Sequence, residues 1–101
     1  MVVEGLLLGA WLYILRCADG SYYTGTTRTD LEVRVAQHQT GYFDCYTAAR
    51  RPVVLVYSDY FYRIVDAIAA ERQIKGWSRA KKEALIAGRF DLLPALSKRR
   101  S

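Results

Sequence analysis

The sequence predicts an α/β domain of the α+β type: a small three-stranded, mostly antiparallel sheet with flanking helices, in the order ββαβαα. Three observations predict it. Two runs rich in β-formers flank the turn signal Ala18-Asp19-Gly20. A third run, PVVLVYS, carries Pro52 at its first position, where a missing N–H is tolerated. Three further segments space their apolar residues as helices do and stop at Gly41, Gly76 and Gly88. A chain of 101 residues is one small domain, and 51% hydrophobic residues allow a modest core without covalent staples.

The elements follow in order. Residues 6–17 are dense in Leu, Ile, Trp and Tyr, and their core-like part is the first strand. Residues 21–26 are the second. The turn between them decides which side chains share a face. A two-residue Asp19-Gly20 turn would pair Tyr13 with Thr26 and put Tyr23 on the opposite face. A three-residue loop with left-handed Gly20 makes a G1 bulge, pairs Leu15 with Tyr23 and leaves Tyr13 as the diagonal same-face neighbour. The bulge is the expected form. Residues 29–39 are the first helix, opened by a Thr29/Glu32 capping box and closed by Gly41. A polar and aromatic loop spans 42–51, and 52–58 is the third strand. Helices follow at 64–75, stopped by Gly76, and at 78–87, with Ser78 as N-cap and Gly88 as stop. Residues 1–10 form an N-terminal extension, 11–88 the domain, and 89–101 a basic tail ending in Lys98, Arg99 and Arg100.

The net charge of +5 points to an anionic partner, and nucleic acid is the commonest one. No run approaches the ~18 apolar residues of a membrane span. Glu4 precedes the short apolar stretch near the start and no Lys or Arg does, which argues against a signal peptide. Cys17 and Cys45 have no metal-site spacing. The expectation is a reduced, cytoplasmic protein with free thiols, monomeric or weakly dimeric.

The helices carry the sharpest inference. At about 100° per residue, Ile64, Ala67, Ile68, Ile74 and Lys75 form one stripe, and Glu71 falls in the middle of it. A carboxylate on a buried face must be paired, neutralised or bound to a cation. An ion pair with an arginine of a neighbouring element is the plain reading, and a metal ligand in a cleft is the other. Mg²⁺ is often held by one or two carboxylates, with water and substrate phosphate completing its octahedron. On the first helix Leu31, Val35 and His38 share a stripe, with Arg34 at its edge and one turn before His38. A lone histidine there is commonly a satisfied structural residue, and Arg34 alone is commonly a surface charge. Together they suit phosphoryl chemistry, because Arg contacts phosphate bidentately and His moves a proton near neutral pH. Tyr13 or Tyr23 alone reads as a packed aromatic with a wet hydroxyl.

Two basic clusters stand beside aromatics. Arg50 and Arg51 follow Tyr42, Phe43 and Tyr46, and Lys75, Arg79, Lys81 and Lys82 surround Trp77. Such neighbours suit phosphate contact with base stacking, which favours single-stranded, branched or distorted DNA. Packing between the last two helices is the alternative for Trp77, and a solvated face the alternative for the lysines.

The stretches LYILRCADGSYYTG, TDLEVRVAQHQTG, YTAARRPVVLVYS and AAERQIKGWSRAKKEALI together resemble a GIY-YIG nuclease domain of the short UPF0213, excinuclease C-like group. The resemblance covers roughly residues 11–88. It implies that Tyr13 is the GIY tyrosine, Tyr23 and Gly25 the YIG tyrosine and glycine, Arg34 the catalytic arginine, His38 the position one turn on, and Glu71 the ligand of one divalent metal, Mg²⁺ or Mn²⁺. Trp11-Leu12-Tyr13 replaces the GIY glycine, Tyr23-Thr24-Gly25 stands for YIG, and the stretch from Thr26 to Thr29 is one residue longer than usual. The asparagine that larger relatives carry after the glutamate has no counterpart. The implied activity is metal-dependent hydrolysis of DNA phosphodiesters to 5′-phosphate and 3′-hydroxyl ends, in repair, recombination or processing. Tyr13, assisted by His38 or Tyr23, would take the proton of the attacking water. The alternative is a catalytically silent nucleic-acid-binding module.

Overall fold

The hairpin turn fixes the register from which everything else follows. In the computed structural model, which describes residues 9–41 and 46–92, strand β1 (Ala10–Arg16) pairs antiparallel with β2 (Tyr22–Thr27). The Gly20 N–H donates to the Cys17 carbonyl (2.9 Å) and the Cys17 N–H to the Ser21 carbonyl (2.8 Å). Gly20 sits at φ +87°, a conformation that costs other residues a Cβ clash. Asp19 stiffens the loop by accepting from the Ser21 N–H (3.0 Å) and hydroxyl (2.6 Å). This is the expected bulged loop: Leu15 lies opposite Tyr23, and Tyr13 opposite Gly25.

Strand β3 (Val54–Phe61) pairs antiparallel with the other side of β1, so the order is β2-β1-β3 and both outer strands are edges. It begins two residues after Pro52 and runs three beyond Ser58, further than the apolar run alone suggests. Cross-strand aromatics account for the extension. Tyr60 lies opposite Trp11, their rings edge-to-face at 5.3 Å between centroids.

The central strand is covered on both faces, which is why its sequence is a nearly unbroken apolar run. Leu12 and Ile14 pack with Ile74 and Leu85 from α2 (Ile64–Lys75) and α3 (Arg79–Ile86), with Trp77 and Tyr22 against them. Tyr13, Leu15, Cys17 and Val53 pack on the opposite face with Leu31 and Val35 of α1 (Leu31–Gln39), and with Tyr23. Trp77 thus takes the packing role, between the last two helices.

The helix ends correct one expectation. The Thr29/Glu32 capping box does not form. Helix α1 starts at Leu31, with Asp30 as an N-cap that makes no side-chain hydrogen bond. The Thr29 hydroxyl and N–H both turn to Thr27 Oγ1, at 2.8 and 3.1 Å. A local hydroxyl-to-backbone bond has outcompeted the cap. Ser78 does cap α3, its Oγ accepting from the Lys81 N–H at 3.2 Å. Glycine closes α1 and α3 in left-handed geometry, Gly41 at φ +73° and Gly88 at +75°.

A short 3-10 turn at Phe90–Leu92 begins the expected tail. The rest of that tail, most of the N-terminal extension, and Tyr42, Phe43 and Cys45 lie outside the described residues. Among the described residues, no helix is long and apolar enough to cross a membrane.

Three substitutions separate core from cap. Ile14→Ala should lower the unfolding free energy by about 2–5 kcal/mol in urea titration. Ser78→Ala should cost about 1 kcal/mol, whereas Asp30→Ala should cost only about 0.3 kcal/mol, by loss of its charge near the helix start. Equal effects at Ser78 and Asp30 would contradict the observed caps.

Candidate active site

A missing side chain builds this site. Tyr13 stands on the central strand, directly opposite Gly25 on the edge strand β2. A Cβ on Gly25 would lie 2.7 Å from the Tyr13 hydroxyl, 2.8 Å from its Cζ and 3.0 Å from Cε2 of Tyr23. The Tyr13 ring therefore lies across the bare backbone of β2, and its hydroxyl is carried toward the sheet edge. The Tyr13 and Tyr23 rings face each other at 6.3 Å between centroids.

Helix α1 supplies the partner of that hydroxyl. His38 is 2% exposed, and its Nε2 is 2.9 Å from Tyr13 Oη. Its Nδ1 is 2.7 Å from Thr47 Oγ1. Thr47 is also buried. With the ring proton on Nδ1, His38 donates to Thr47 and leaves the Nε2 lone pair for the Tyr13 hydroxyl; the other tautomer reverses both bonds. Sequence reasoning missed Thr47. The available signal was that a buried imidazole needs a partner at each nitrogen, and Thr47 is a hydroxyl residue in the loop that returns past α1.

Burial sets the protonation states. It raises the Tyr13 phenol above the usual tyrosine range, helped by the charges of Tyr23 and Glu71, while the charge and hydrogen bond of Arg34 pull the other way. Burial also lowers His38, and Arg34 adds to that. Neutral phenol and neutral imidazole are the resting forms at pH 7. The His38 imidazole meets the Tyr13 hydroxyl, the Tyr23 ring lies beside both rings, and the charge and hydrogen bond of Arg34 act on the same phenol. Four of the residues singled out in the sequence, Tyr13, Tyr23, Arg34 and His38, thus lie about one hydroxyl, and Glu71 acts on it through its charge.

Glu71 stands on α2, against the Thr26 hydroxyl of β2. It is half-buried, in the apolar stripe as expected. Its Oε1 accepts from the Thr26 hydroxyl at 3.0 Å, and its Oε2 is 2.6 Å from Lys75 Nζ. The ion pair is thus with a lysine one turn along the same helix and not with a neighbouring arginine. Tyr22, Tyr23, Thr24, Tyr46, Lys75 and Lys82 line an open cleft of about 370 Å³ along the β2 edge. Tyr23 and Tyr46 are stacked there at 6.2 Å.

The predicted nucleic-acid contacts divide. Lys75 and Lys82 line the cleft. Arg50 holds Asp19 at 3.2 Å and covers the Tyr46 ring at 3.9 Å. Arg51 donates to the Ala48 carbonyl at 2.8 Å. Arg79 pairs with Glu83 at 3.0 Å and donates to the Gly20 carbonyl at 2.8 Å. These three remain partly exposed while tying down loops. Lys81 is a correction. It is 5% exposed, with its ammonium 4.1 Å from the centre of the Trp77 ring, so it does not belong to an outward binding surface.

The profile of the GIY-YIG catalytic domain matches residues 9–84. This chain belongs to the GIY-YIG family. A UPF0213 protein of Halobacterium salinarum is 46% identical over 75 residues, 74% of this chain and 96% of the relative. One from Natronomonas pharaonis is 47% identical over 77 residues, 76% of this chain and 89% of the relative. The chain is similar to the solution structure of a UPF0213 protein from Bacillus halodurans, with a TM-score of 0.52 and 41% identity over 77% of this chain and 82% of that one. A solution structure from E. faecalis has a TM-score of 0.54 and 36% identity over the same shares. Within this GIY-YIG domain, Trp11 stands where the first motif has glycine, and the ring contact with Tyr60 accommodates it.

Gly25→Ala should displace the Tyr13 ring, break its bond to His38 and cost about 1–3 kcal/mol, read from urea unfolding and the His38 ring resonances. The lowered His38 pKa has a defined sign. The folded state resists protonation more than the unfolded chain does, so its stability contribution is complete above about pH 6.5 and declines as pH falls below that value. Urea titrations from pH 7.5 to 5 should show this loss, and His38→Gln should flatten it.

Proposed function

We propose that this chain is a metal-dependent endonuclease hydrolysing DNA phosphodiester bonds, in single-stranded or structured DNA, during repair, recombination or processing. The observation that supports the reading is the bond between the His38 imidazole and the buried Tyr13 hydroxyl, with a guanidinium and a second phenol beside it and a carboxylate that acts on it through its charge.

The donor set fits a divalent cation. Glu71 offers a half-buried carboxylate that already holds one cation, the Lys75 ammonium. Among the described residues no group of three or more His, Cys, Asp or Glu is arranged to hold a metal. A single-carboxylate site completed by water and phosphate is the form that suits Mg²⁺ or Mn²⁺. Bound there, the ion would polarise a phosphate oxygen and offset developing charge.

The protein's own residues account for the proton and the phosphate. Tyr13 accepts the proton of the attacking water as it passes its own to His38 Nε2. Neither group needs to be charged beforehand, which suits the raised phenol and the lowered imidazole. Thr47 holds the imidazole in orientation through Nδ1. Arg34 binds the phosphate and stabilises the pentacovalent phosphorus. Lys75 and Lys82 offer charge to the backbone, and Tyr23 and Tyr46 form an aromatic wall of the cleft beside them.

The test is cutting of labelled single-stranded, duplex and branched DNA with Mg²⁺ or Mn²⁺. Glu71→Gln and Tyr13→Phe should each lower the rate by about 10²-fold or more at unchanged fold. The acid limb of the rate profile should lie below about pH 6.5, because His38 must be neutral to accept the proton. Binding without cutting by the wild type would replace this reading with a silent nucleic-acid-binding module.

A further inference from the structure

Both oxygens of the Glu71 carboxylate are engaged. Thr26 donates to Oε1 at 3.0 Å, and the Lys75 ammonium lies 2.6 Å from Oε2. That second contact is short even for a charge-assisted hydrogen bond, and it takes up one of the two carboxylate oxygens. Yet the Lys75 side chain is 52% exposed, and a half-exposed i,i+4 pair is held weakly. Lys75 also lines the cleft beside Lys82, Tyr23 and Tyr46. Thr24 lines it too, and its buried hydroxyl has no hydrogen-bond partner among the described residues. From one Cα, the ammonium can sit on the carboxylate or over the cleft.

We propose that Lys75 is a displaceable counter-ion: it holds Glu71 until a divalent cation takes the carboxylate, then swings into the cleft and binds a phosphate of the nucleic acid. This rests on the reading of Glu71 as the metal ligand. An ammonium and a dication cannot share one carboxylate oxygen, since like charges at such separations repel strongly in a partly desolvated site. The compact head and flexible stem of lysine suit two positions, as a bidentate guanidinium would not. Two consequences follow by linkage. Metal binding to the free protein is weakened by the lysine it must displace. Metal and phosphate then strengthen each other, because each favours the same Lys75 position. The device ties metal loading to the presence of substrate.

The experiment uses the ¹⁵N-labelled full chain, with Mn²⁺ line broadening reporting metal affinity and a thymidine dinucleotide as the phosphate probe. Lys75→Met keeps the stem and removes the charge. Mn²⁺ should bind this variant about five-fold more tightly than wild type in the absence of nucleotide. With Mn²⁺ saturating, the dinucleotide should bind it about three-fold more weakly. A lysine that merely braces α2 would move both affinities in the same direction. Unchanged or weaker Mn²⁺ binding in Lys75→Met overturns the counter-ion if Glu71→Gln abolishes wild-type binding, and the metal reading then stands. No Glu71-dependent binding in either protein overturns both.

Discussion

The close approach of the Tyr13 ring to the backbone of Gly25 is the constraint on which the site depends. A ring rooted on the central strand would ordinarily end over the middle of the sheet. Here it crosses a residue with no Cβ and reaches the edge strand, where the His38 imidazole of α1 meets its hydroxyl. That approach requires Tyr13 to face Gly25, and the register that makes them face is set by the bulged loop at Gly20. Two glycines five residues apart thus do separate tasks, one turning the chain and the other clearing a path.

Burial then shapes the chemistry. In a low-dielectric setting a neutral phenol and a neutral imidazole are both favoured over their ions, and Arg34 strengthens the preference at His38 while opposing it at Tyr13. The result is a pair poised to pass a proton along a 2.9 Å contact without first storing charge. Such a network is stable only when every member has a partner. Thr47 provides the last one, at the far nitrogen of the imidazole.

Much of this was legible in the sequence because it follows from periodicity and from turn chemistry. The Ala18-Asp19-Gly20 signal gave the hairpin register, and helical spacing put His38 and Glu71 on inward faces. What stayed hidden depends on contacts between distant segments. Thr47 lies nine residues after His38, in a loop whose path no pattern reveals. The Thr29/Glu32 cap failed because Thr27, a neighbour in sequence but on the preceding strand, offered Thr29 a closer partner. Lys81 read as a surface charge, since its composition says nothing of the Trp77 ring that covers it. Lys75 was visible as part of a basic cluster, whereas its hold on Glu71 depends on the rotamers the two side chains adopt along α2.

The most direct measurement is a pH titration of the ring nitrogens of His38 by two-bond ¹H–¹⁵N NMR, which is unambiguous because the chain has one histidine. The account predicts an imidazole that stays neutral to below about pH 6.5, carries its proton on Nδ1, and shifts at Nε2 when Tyr13 is replaced by Phe. An imidazole that titrates at or above that value, or one indifferent to Tyr13→Phe, would contradict the proton path at the centre of the proposal.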